Sequence, residues 1–345
     1  MTAGSTKRGF VQLLSLSLLA YPLAFITQML TSYYFGTSAR MDSYWLAMAV
    51  INTLGFFVGP AREGAIPEFY KRLRRGRSEG IEYFSGVGNA ILLVAAAALL
   101  IAVLAPRQLA HLVAGSNHPL EQEDIQRFIR WLTPLVFFAC ATEMLNGVLV
   151  SYGKVVFQEI GRLLDAVISI ACLGLFGATL GIKALIIATV AAPAALFAVQ
   201  CLQLRALGFG YRPAAAPRVD RNFSHMAGAL LIAYAIGQIY TLYERTTFVR
   251  FGQGLLSSVQ YARTISGVPD QLLTASLTTA IWPSILSHAY ENNLHKAFLL
   301  TIKACRYLAL AMACVILLCF LFSRRIVYLI YFHGAFDPDT GDLHS

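Results

Sequence analysis

Charged side chains inside apolar stretches are the residues of this sequence best placed to do chemistry. They lie in runs long enough to cross a bilayer, and five of them stand out: Arg62, Glu63, Glu143, Glu244 and Arg263. Because an ionised group at membrane depth is costly, it usually faces a protein interior or a water-filled cavity and often marks a substrate or ion pathway. For the mid-helix Glu143, two interpretations stay open: a cavity-facing role, or a buried hydrogen bond to a neighbouring helix.

Two of these apolar stretches are interrupted next to the charges. The first interruption, 59–67, contains two prolines and two glycines, including Pro60. The second contains Gly267, Pro269 and Asp270. Proline removes a backbone hydrogen bond, which a membrane helix tolerates where its backbone faces protein or a cavity. Broken helices at matching places in two halves predict a transporter binding site, with ordinary kinked packing helices as the alternative.

The apolar stretches themselves predict an all-α fold. Their approximate spans number nine: 10–34, 43–67, 86–105, 128–150, 163–182, 184–204, 226–250, 255–287 and 298–322. A helix of about 20 apolar residues crosses a bilayer with its backbone hydrogen bonds satisfied internally. Hydrophobic residues make up 57% of the chain and charged residues 13%, against about 45–50% and about 25% in soluble domains. The mean hydropathy of +0.62 agrees with a polytopic membrane helix bundle of about nine transmembrane helices.

Lys and Arg fall mainly in every second gap between these stretches. Five of them lie at 71–77, and others lie at 154–162 and 205–221. The gap at 111–124 is acidic instead and is predicted to be a loop. Because basic loops remain cytoplasmic, the pattern predicts a bacterial inner-membrane protein with a cytoplasmic N-terminus. The net charge of +9 is spread over short loops rather than a basic face, so no nucleic-acid partner is predicted.

A segment rich in Pro and Gly divides the chain. We predict an N-terminal lobe of six helices at 1–207, a cytoplasmic linker at 208–222 and a partial C-terminal lobe of three helices at 223–345. Phe35-Gly36 and Phe251-Gly252 end corresponding helices, as expected for parallel repeats. Since the second lobe has half as many helices as the first, the sequence is also expected to be a fragment or a truncated product.

Catalytic and cofactor signatures are missing from the sequence. It contains no phosphate-binding loop, dinucleotide-binding glycine motif, zinc-binding helix motif or nucleophile elbow. Its six cysteines lie in apolar stretches without a CxxC pair, as small hydrophobic residues do. We therefore predict a transporter rather than an enzyme, with no cofactor and no metal, driven by something other than ATP hydrolysis on this chain.

The order of several motifs resembles that of the MviN/MurJ lipid II flippase family, within the MOP flippase superfamily. Phe35-Gly36 followed by Asp42 and then by the sequence 62–65 is similar to the family's second helix. The sequence 261–263 followed by Pro269 and Pro283 is similar to its eighth helix, and 334–336 to the loop after its ninth. The resemblance spans nearly the whole chain in order.

This resemblance implies a V-shaped, two-lobe bundle that moves a polyprenyl-pyrophosphate-linked saccharide, such as lipid II, from the cytoplasmic to the outer leaflet. Arg62 and Arg263 would then bind the pyrophosphate. Glu63, Glu143 and Glu244 would balance charge or carry a coupling ion. Structural or gating roles would fall to six residues: Asp42, Pro60, Gly267, Pro269, Asp270 and Pro283. The implied partners are the lipid-linked substrate, bilayer lipids, a coupling ion and cell-envelope synthesis proteins.

The sequence also departs from the family pattern. Tyr21 and Thr27 align with two arginines of the family's first helix, and Arg263-Thr264 replaces an aspartate–arginine pair. Fewer cavity arginines leave open a flippase for another lipid-linked glycan, such as an exopolysaccharide precursor, or a degenerate relative that no longer transports. Two alternatives of other classes are a MATE-like cation or drug antiporter and a non-transporting scaffold for envelope assembly.

Overall fold

The computed structural model describes residues 3–114, 119–152, 154, 156–213, 221–267 and 294–331. Within these ranges every regular element is an α-helix. The helices are α1 (Ala3–Phe35), α2 (Ala39–Gly55), α3 (Val58–Arg75), α4 (Arg77–Leu104), α5 (Pro106–Ala114), α6 (Pro119–Ser151), α7 (Phe157–Leu180), α8 (Ile182–Ala206), α9 (Arg221–Phe251), α10 (255–267) and α11 (Leu294–Tyr331).

The prediction of an all-α membrane bundle is confirmed. Seven spans among the described residues are long and apolar enough to cross a bilayer, and one of them, Ala39–Arg75, combines α2 and α3. In α4 and α11 the most apolar windows have hydropathies of 2.6 and 2.3, which only a lipid or protein-interior environment accommodates. The chain is therefore a multi-pass membrane protein.

The first predicted break is present, but it lies earlier in the chain than expected. Helical geometry is interrupted at Phe56 and Phe57, between α2 and α3, and Pro60 lies in the first turn of α3. A proline cannot donate to the carbonyl four residues before it, which here belongs to Phe56. The disruption therefore falls on the N-terminal side of Pro60, whose own position near a helix start is well tolerated.

The prediction of a loop at 111–124 is wrong for most of this segment. Residues 111–114 end α5, and 119–124 form the first turns of α6. The acidic residues that made this segment look like a loop instead lie near the N-terminus of α6, where negative charge is favoured by the helix dipole. Asp124 also lies 3.7 Å from Arg40 of α2 and 3.7 Å from Arg127.

The core of the predicted first lobe is built around α6. This helix packs against α2, α3, α4, α5 and α8. In one apolar cluster Met41, Ala110 and Leu132 are fully buried, and in a second cluster Tyr83 and Val148 are fully buried. Because α6 is enclosed by the other helices, a side chain on it can reach several elements at once.

Contacts at the two ends of the bundle show which loops lie together. At what we call the basic end, Arg77 at the start of α4 donates to the carbonyl of Leu207. The backbone N–H of Arg212 donates to Ser85 Oγ at 3.0 Å. The beginning of the predicted linker is thus attached to α4. The opposite end carries the α1–α2 turn and the pair formed by Arg40 and Asp124.

Candidate functional site

Arg62 joins three helices in one cluster of polar side chains. From α3 it donates to the Glu143 carboxylate on α6, and its Nη2 lies 3.7 Å from Glu63 Oε1. The Tyr234 hydroxyl on α9 donates to the same Glu63 oxygen at 3.0 Å. We call Arg62, Glu63, Glu143 and Tyr234 the Arg62 cluster. Since α9 is the first helix of the predicted second lobe, the cluster connects the two lobes.

Glycines bring the helices of this cluster close enough for these contacts. A Cβ at Gly147 of α6 would lie 3.2 Å from Arg62 Cγ, so the arginine stem runs across bare backbone. A Cβ at Gly59 would lie 2.8 Å from the Tyr234 ring. At Gly64 it would lie 3.1 Å from Ala227 Cβ on α9. The α3–α9 contact therefore depends on glycine at 59 and 64.

Replacing Gly64 with leucine is expected to separate α9 from α3. Overpacking of this kind costs about 1–3 kcal/mol, because Ala227 belongs to the facing helix and cannot swing away. The thermal unfolding temperature of the purified protein should fall. Gly228→Leu is the matched control, since a Cβ there has no neighbour within 4 Å. Equal destabilisation by the two variants would contradict the close contact.

Arg263 of α10 lies in a second cluster. It donates to the Glu244 carboxylate on α9, whose side chain is 16% exposed. The next residue, Arg245, donates to the carbonyl of Trp45 on α2 at 3.1 Å, and its guanidinium lies 6.0 Å from the centre of the Trp45 ring. We call Glu244, Arg245 and Arg263 the Arg263 cluster. It links α9 with α10 and with α2.

The two predicted substrate-binding arginines lie in different clusters. Arg62 reaches α9 through Glu63 and Tyr234, and Arg263 reaches it through Glu244; Tyr234 and Glu244 are ten residues apart. At a rise of about 1.5 Å per residue this places the clusters roughly 15 Å apart along the helix. Both arginines are partly exposed, with 23% of the Arg62 and 43% of the Arg263 side chain accessible. The two arginines therefore lie at separate places along α9 rather than in one pocket.

Asp42 joins the two lobes at the end opposite the basic end. Its carboxylate is buried and accepts hydrogen bonds from the N–H groups of Gly254 (2.6 Å) and Ser257 (2.8 Å) and from the Ser257 hydroxyl. These are N–H groups at the start of α10, which have no partner within their own helix. Asp42 thus caps a second-lobe helix from the first lobe, with its negative charge at the positive end of the helix dipole.

Further contacts reinforce this cap. The Tyr261 hydroxyl of α10 donates to the carbonyl of Gly36 at 2.9 Å, and Tyr331 of α11 donates to the carbonyl of Tyr261 at 3.0 Å. Gly254 has a φ of +83°, and a Cβ there would collide with the carbonyl oxygen of Thr37. We call the contacts of Asp42, Gly254, Ser257 and Tyr261 the latch. The latch holds α10 against the α1–α2 turn.

The remaining predicted residues have separate positions. Pro60 is buried in the first turn of α3. Gly267 is the last described residue of α10, and a Cβ there has no neighbour within 4 Å. Pro269, Asp270 and Pro283 lie outside the described residues.

Several members of these clusters were missed from the sequence. Tyr234 and Ser257 were not predicted to be site residues, although each forms a contact between the predicted lobes. A tyrosine or serine in an apolar helix carries no signal of its own. Gly59 and Gly64 on one helix, with small residues near 227 on another, were the available hint of close helix packing.

Comparisons with known proteins agree with this architecture. A family model described as lipid II flippase MurJ matches residues 31–342. Comparison with curated protein sequences found no match. A solved structure of a lipid II flippase MurJ in an inward closed conformation has a TM-score of 0.80 at 17% identity, covering 97% of this chain and 70% of that one.

Two solved MATE transporters are similar at lower scores. An inward-facing multidrug resistance MATE transporter of the MOP superfamily has a TM-score of 0.63 at 17% identity, covering 94% of this chain and 74% of that one. The MATE transporter DinF-BH has a TM-score of 0.64 at 16% identity, covering 90% and 74%. The structural likenesses establish the shared fold. Because the family model spans most of the sequence, including both clusters and the latch, the chain belongs to the MurJ lipid II flippase family.

Proposed function

We propose that this chain is a flippase that moves lipid II, a polyprenyl-pyrophosphate-linked saccharide, across the bacterial inner membrane. The observation that carries the proposal is the family match over residues 31–342. The chemistry of the site is consistent with it, because two arginines within the apolar stretches of the sequence lie next to α9, Arg62 through Glu63 and Tyr234 and Arg263 through Glu244. A pyrophosphate is the part of this substrate that most needs positive charge to enter a membrane protein.

Arg62 and Arg263 are proposed to bind the pyrophosphate in turn. A guanidinium forms strong, often bidentate hydrogen bonds with phosphate oxygens. In the structure both guanidinium groups are paired with carboxylates, those of Glu143 and Glu244. An entering pyrophosphate would compete with these carboxylates for the arginines. Glu63, Glu143 and Glu244 would thereby keep the arginines compensated until the substrate replaces them.

The proposed cycle is one of alternating access between two lobes, 1–207 and 223–345, joined by the linker 208–222. We place the N-terminus and the basic end in the cytoplasm, because Lys and Arg concentrate there. The latch then lies at the outer face and closes that side, so lipid II would load from the cytoplasmic leaflet. Release to the outer leaflet would require the hydrogen bonds from Gly254 and Ser257 to Asp42 to break.

The energy for this transport is proposed to come from membrane potential or an ion gradient. The sequence contains no nucleotide-binding motif, and the solved structures of this fold are of transporters. Carboxylates that share an arginine with the substrate are suitable carriers of a coupling ion, since their charge state sets how tightly the arginine is held. Glu143 and Glu244 are in this position.

Growth of a bacterial strain depleted of its own lipid II flippase tests the proposal. The complete gene is expected to restore growth and normal cell shape. Failure to rescue, with the protein present in the membrane at a normal level, would contradict the lipid II assignment. Accumulation of a different lipid-linked glycan in a deletion strain would identify an exopolysaccharide precursor as the substrate instead.

A MATE-like cation antiporter is the second candidate, because two MATE transporters share the fold. Such a protein binds cations, so its cavity carboxylates should matter more than its arginines. Export of cationic dyes from intact cells distinguishes the two. Loss of dye export in Glu143→Ala together with normal export in Arg62→Ala would favour the antiporter, and absence of any dye export would exclude it.

A further inference from the structure

An apolar crevice lies on the surface of the predicted first lobe, between α4, α6 and α8. Its volume is about 210 Å³, and its walls include Phe84 and Gly88 of α4, Phe137 and Met144 of α6, and Phe197 of α8. Phe137 lies within a span that is long and apolar enough to cross a bilayer, and it is 38% exposed. The crevice therefore opens toward the hydrocarbon region of the membrane.

The walls of the crevice favour a hydrocarbon occupant over water. Apart from the Cys201 thiol the lining is apolar or aromatic, and the hydroxyl of Tyr211 already donates to Asn89. A buried water molecule needs two to four polar partners, whereas an apolar cavity of about 150 Å³ stays dry and binds small apolar molecules. An empty crevice would forfeit dispersion contacts along its walls. A hydrocarbon chain from the bilayer supplies these contacts.

The beginning of the linker forms one wall of the crevice. The Tyr211 ring lies over the bare backbone of α4, since a Cβ at Gly88 would be 3.6 Å from it. Asn89 accepts from the Tyr211 hydroxyl and donates from Nδ2 to the carbonyl of Pro213 at 3.0 Å. A chain in the crevice would therefore also support the attachment of the linker to α4.

Two arginines lie at the basic end of this crevice. Arg205 follows the crevice residue Cys201 by one turn of α8, so both are on the same face of that helix. Arg212 follows Tyr211 and donates from Nη2 to Ser78 Oγ in the first turn of α4 at 3.1 Å. Both arginine residues are exposed. The apolar walls thus lead to a positively charged rim.

The positive charge of this rim is not compensated by protein carboxylates. A third guanidinium, that of Arg77, donates to the carbonyl of Leu207, two residues after Arg205. Among the described residues, no carboxylate forms a salt bridge with Arg77, Arg205 or Arg212, and Glu79 in the first turn of α4 lies 4.0 Å from Arg75 instead. The rim is therefore complementary to a negatively charged group.

We propose that the crevice binds an anionic phospholipid, with one acyl chain between α4, α6 and α8 and its phosphate held by Arg205 and Arg212. The spacing fits such a molecule. Ser78, to which Arg212 donates, lies six residues before the crevice residue Phe84, which is roughly 9 Å along α4. The headgroup region of one leaflet is about 5–8 Å deep. The lipid belongs to the leaflet at the basic end, and its binding does not depend on the proposed transport function.

Titration of the purified full chain with dioleoyl phosphatidylglycerol, followed by native mass spectrometry, tests the charged part of this site. Dioleoyl phosphatidylcholine is the comparison lipid, because it has the same chains and no net charge. We expect one phosphatidylglycerol to bind at least about fivefold more tightly than phosphatidylcholine. Arg205→Gln and Arg212→Gln should each weaken phosphatidylglycerol binding about fivefold, the contribution of one arginine to binding an anionic lipid. Arg74→Gln is the control, since Arg74 donates to Tyr70 of its own helix.

A second pair of variants tests the crevice itself. Ala141→Leu adds hydrocarbon inside the crevice and should displace about two methylene groups of the acyl chain, which weakens binding about tenfold. Ala198→Leu adds the same group on the exposed face of α8, outside the crevice, and should bind as the unmodified chain does. Thermal unfolding of each variant confirms that it is folded.

Two results would overturn the proposal. Equal affinity of the unmodified chain for the two lipids would show that the arginine rim does not recognise the headgroup. Equal phosphatidylglycerol binding by Ala141→Leu and Ala198→Leu would show that the acyl chain does not enter the crevice. Because the assay contains no lipid II, either result leaves the flippase proposal standing.

Discussion

Arg62→Gln is expected to reduce lipid II flipping by roughly 10- to 100-fold. A hydrogen bond that involves a charged group contributes about 1.5–3 kcal/mol, and 1.4 kcal/mol corresponds to about a factor of ten. Glutamine keeps a polar side chain, but it is shorter and lacks the positive charge that the pyrophosphate requires. Arg62→Lys should be intermediate, because an ammonium keeps the charge and loses the bidentate geometry. The measurement is the initial rate of lipid II translocation in cells depleted of their own flippase.

Two further variants separate substrate binding from a purely structural salt bridge. Arg74→Gln is the matched control, since Arg74 lies on the same helix and its nearest partner is the surface residue Tyr70. It should flip normally. The double variant Arg62→Gln/Glu143→Gln removes both charges of the pair, so the Glu143 carboxylate is no longer left uncompensated. If Arg62 serves only to neutralise Glu143, the double variant will recover activity, and that outcome would contradict substrate binding by Arg62.

Asp42→Ala is expected to open the latch end of the bundle. The substitution leaves the N–H groups of Gly254 and Ser257 and the Ser257 hydroxyl without their acceptor. Leaving one buried donor unsatisfied costs about 1–3 kcal/mol. A total of at least about 2 kcal/mol shifts the equilibrium toward the open latch by roughly 30-fold. Asp42→Asn, which keeps one acceptor oxygen, should shift it less. Flipping should fall, because access no longer alternates.

The opening can be measured as a distance between spin labels. Labels at Arg40→Cys and Gln253→Cys lie on opposite sides of the latch, in a protein whose six native cysteines are replaced by alanine. A longer distance distribution is expected for Asp42→Ala. Asp124→Asn is the control at the same end, because in the labelled protein Asp124 pairs with Arg127 of its own helix instead of holding α10. An unchanged distribution in Asp42→Ala would show that other contacts hold this end closed.

The helices were predictable because the membrane imposes a simple rule. A run of about 20 apolar residues must satisfy its backbone internally, so hydropathy alone locates most of the bundle. The prediction errors concern helix breaks and helix ends, which hydropathy does not determine. The position of the α2–α3 break follows from which carbonyl Pro60 leaves without a donor, not from where Pro60 itself lies. The start of α6 was misplaced because acidic residues are equally suitable in a loop and in a first helical turn.

The site was predictable only in its charged members. Charged residues within apolar stretches are conspicuous, because an ionised group at membrane depth is costly and usually has a function. These residues are Arg62, Glu143, Glu244 and Arg263. Their pairing was not predictable, since Arg62 and Glu143 are 81 positions apart and Tyr234 is 171 positions from Glu63. Asp42 was singled out, yet its partners at Gly254 and Ser257 are ordinary loop and helix residues.

The most direct test of the central claim is the amount of lipid II in the outer leaflet. It is measured as the lipid II cleaved by a hydrolase that acts only from outside the inner membrane, in a strain depleted of its own flippase. We predict that this chain restores cleavage to the level of an undepleted strain, and that Arg62→Gln, present in the membrane in equal amount, restores at most about a tenth of it. Cleavage no greater than in the depleted strain, with the unmodified chain present in the membrane, would contradict the assignment.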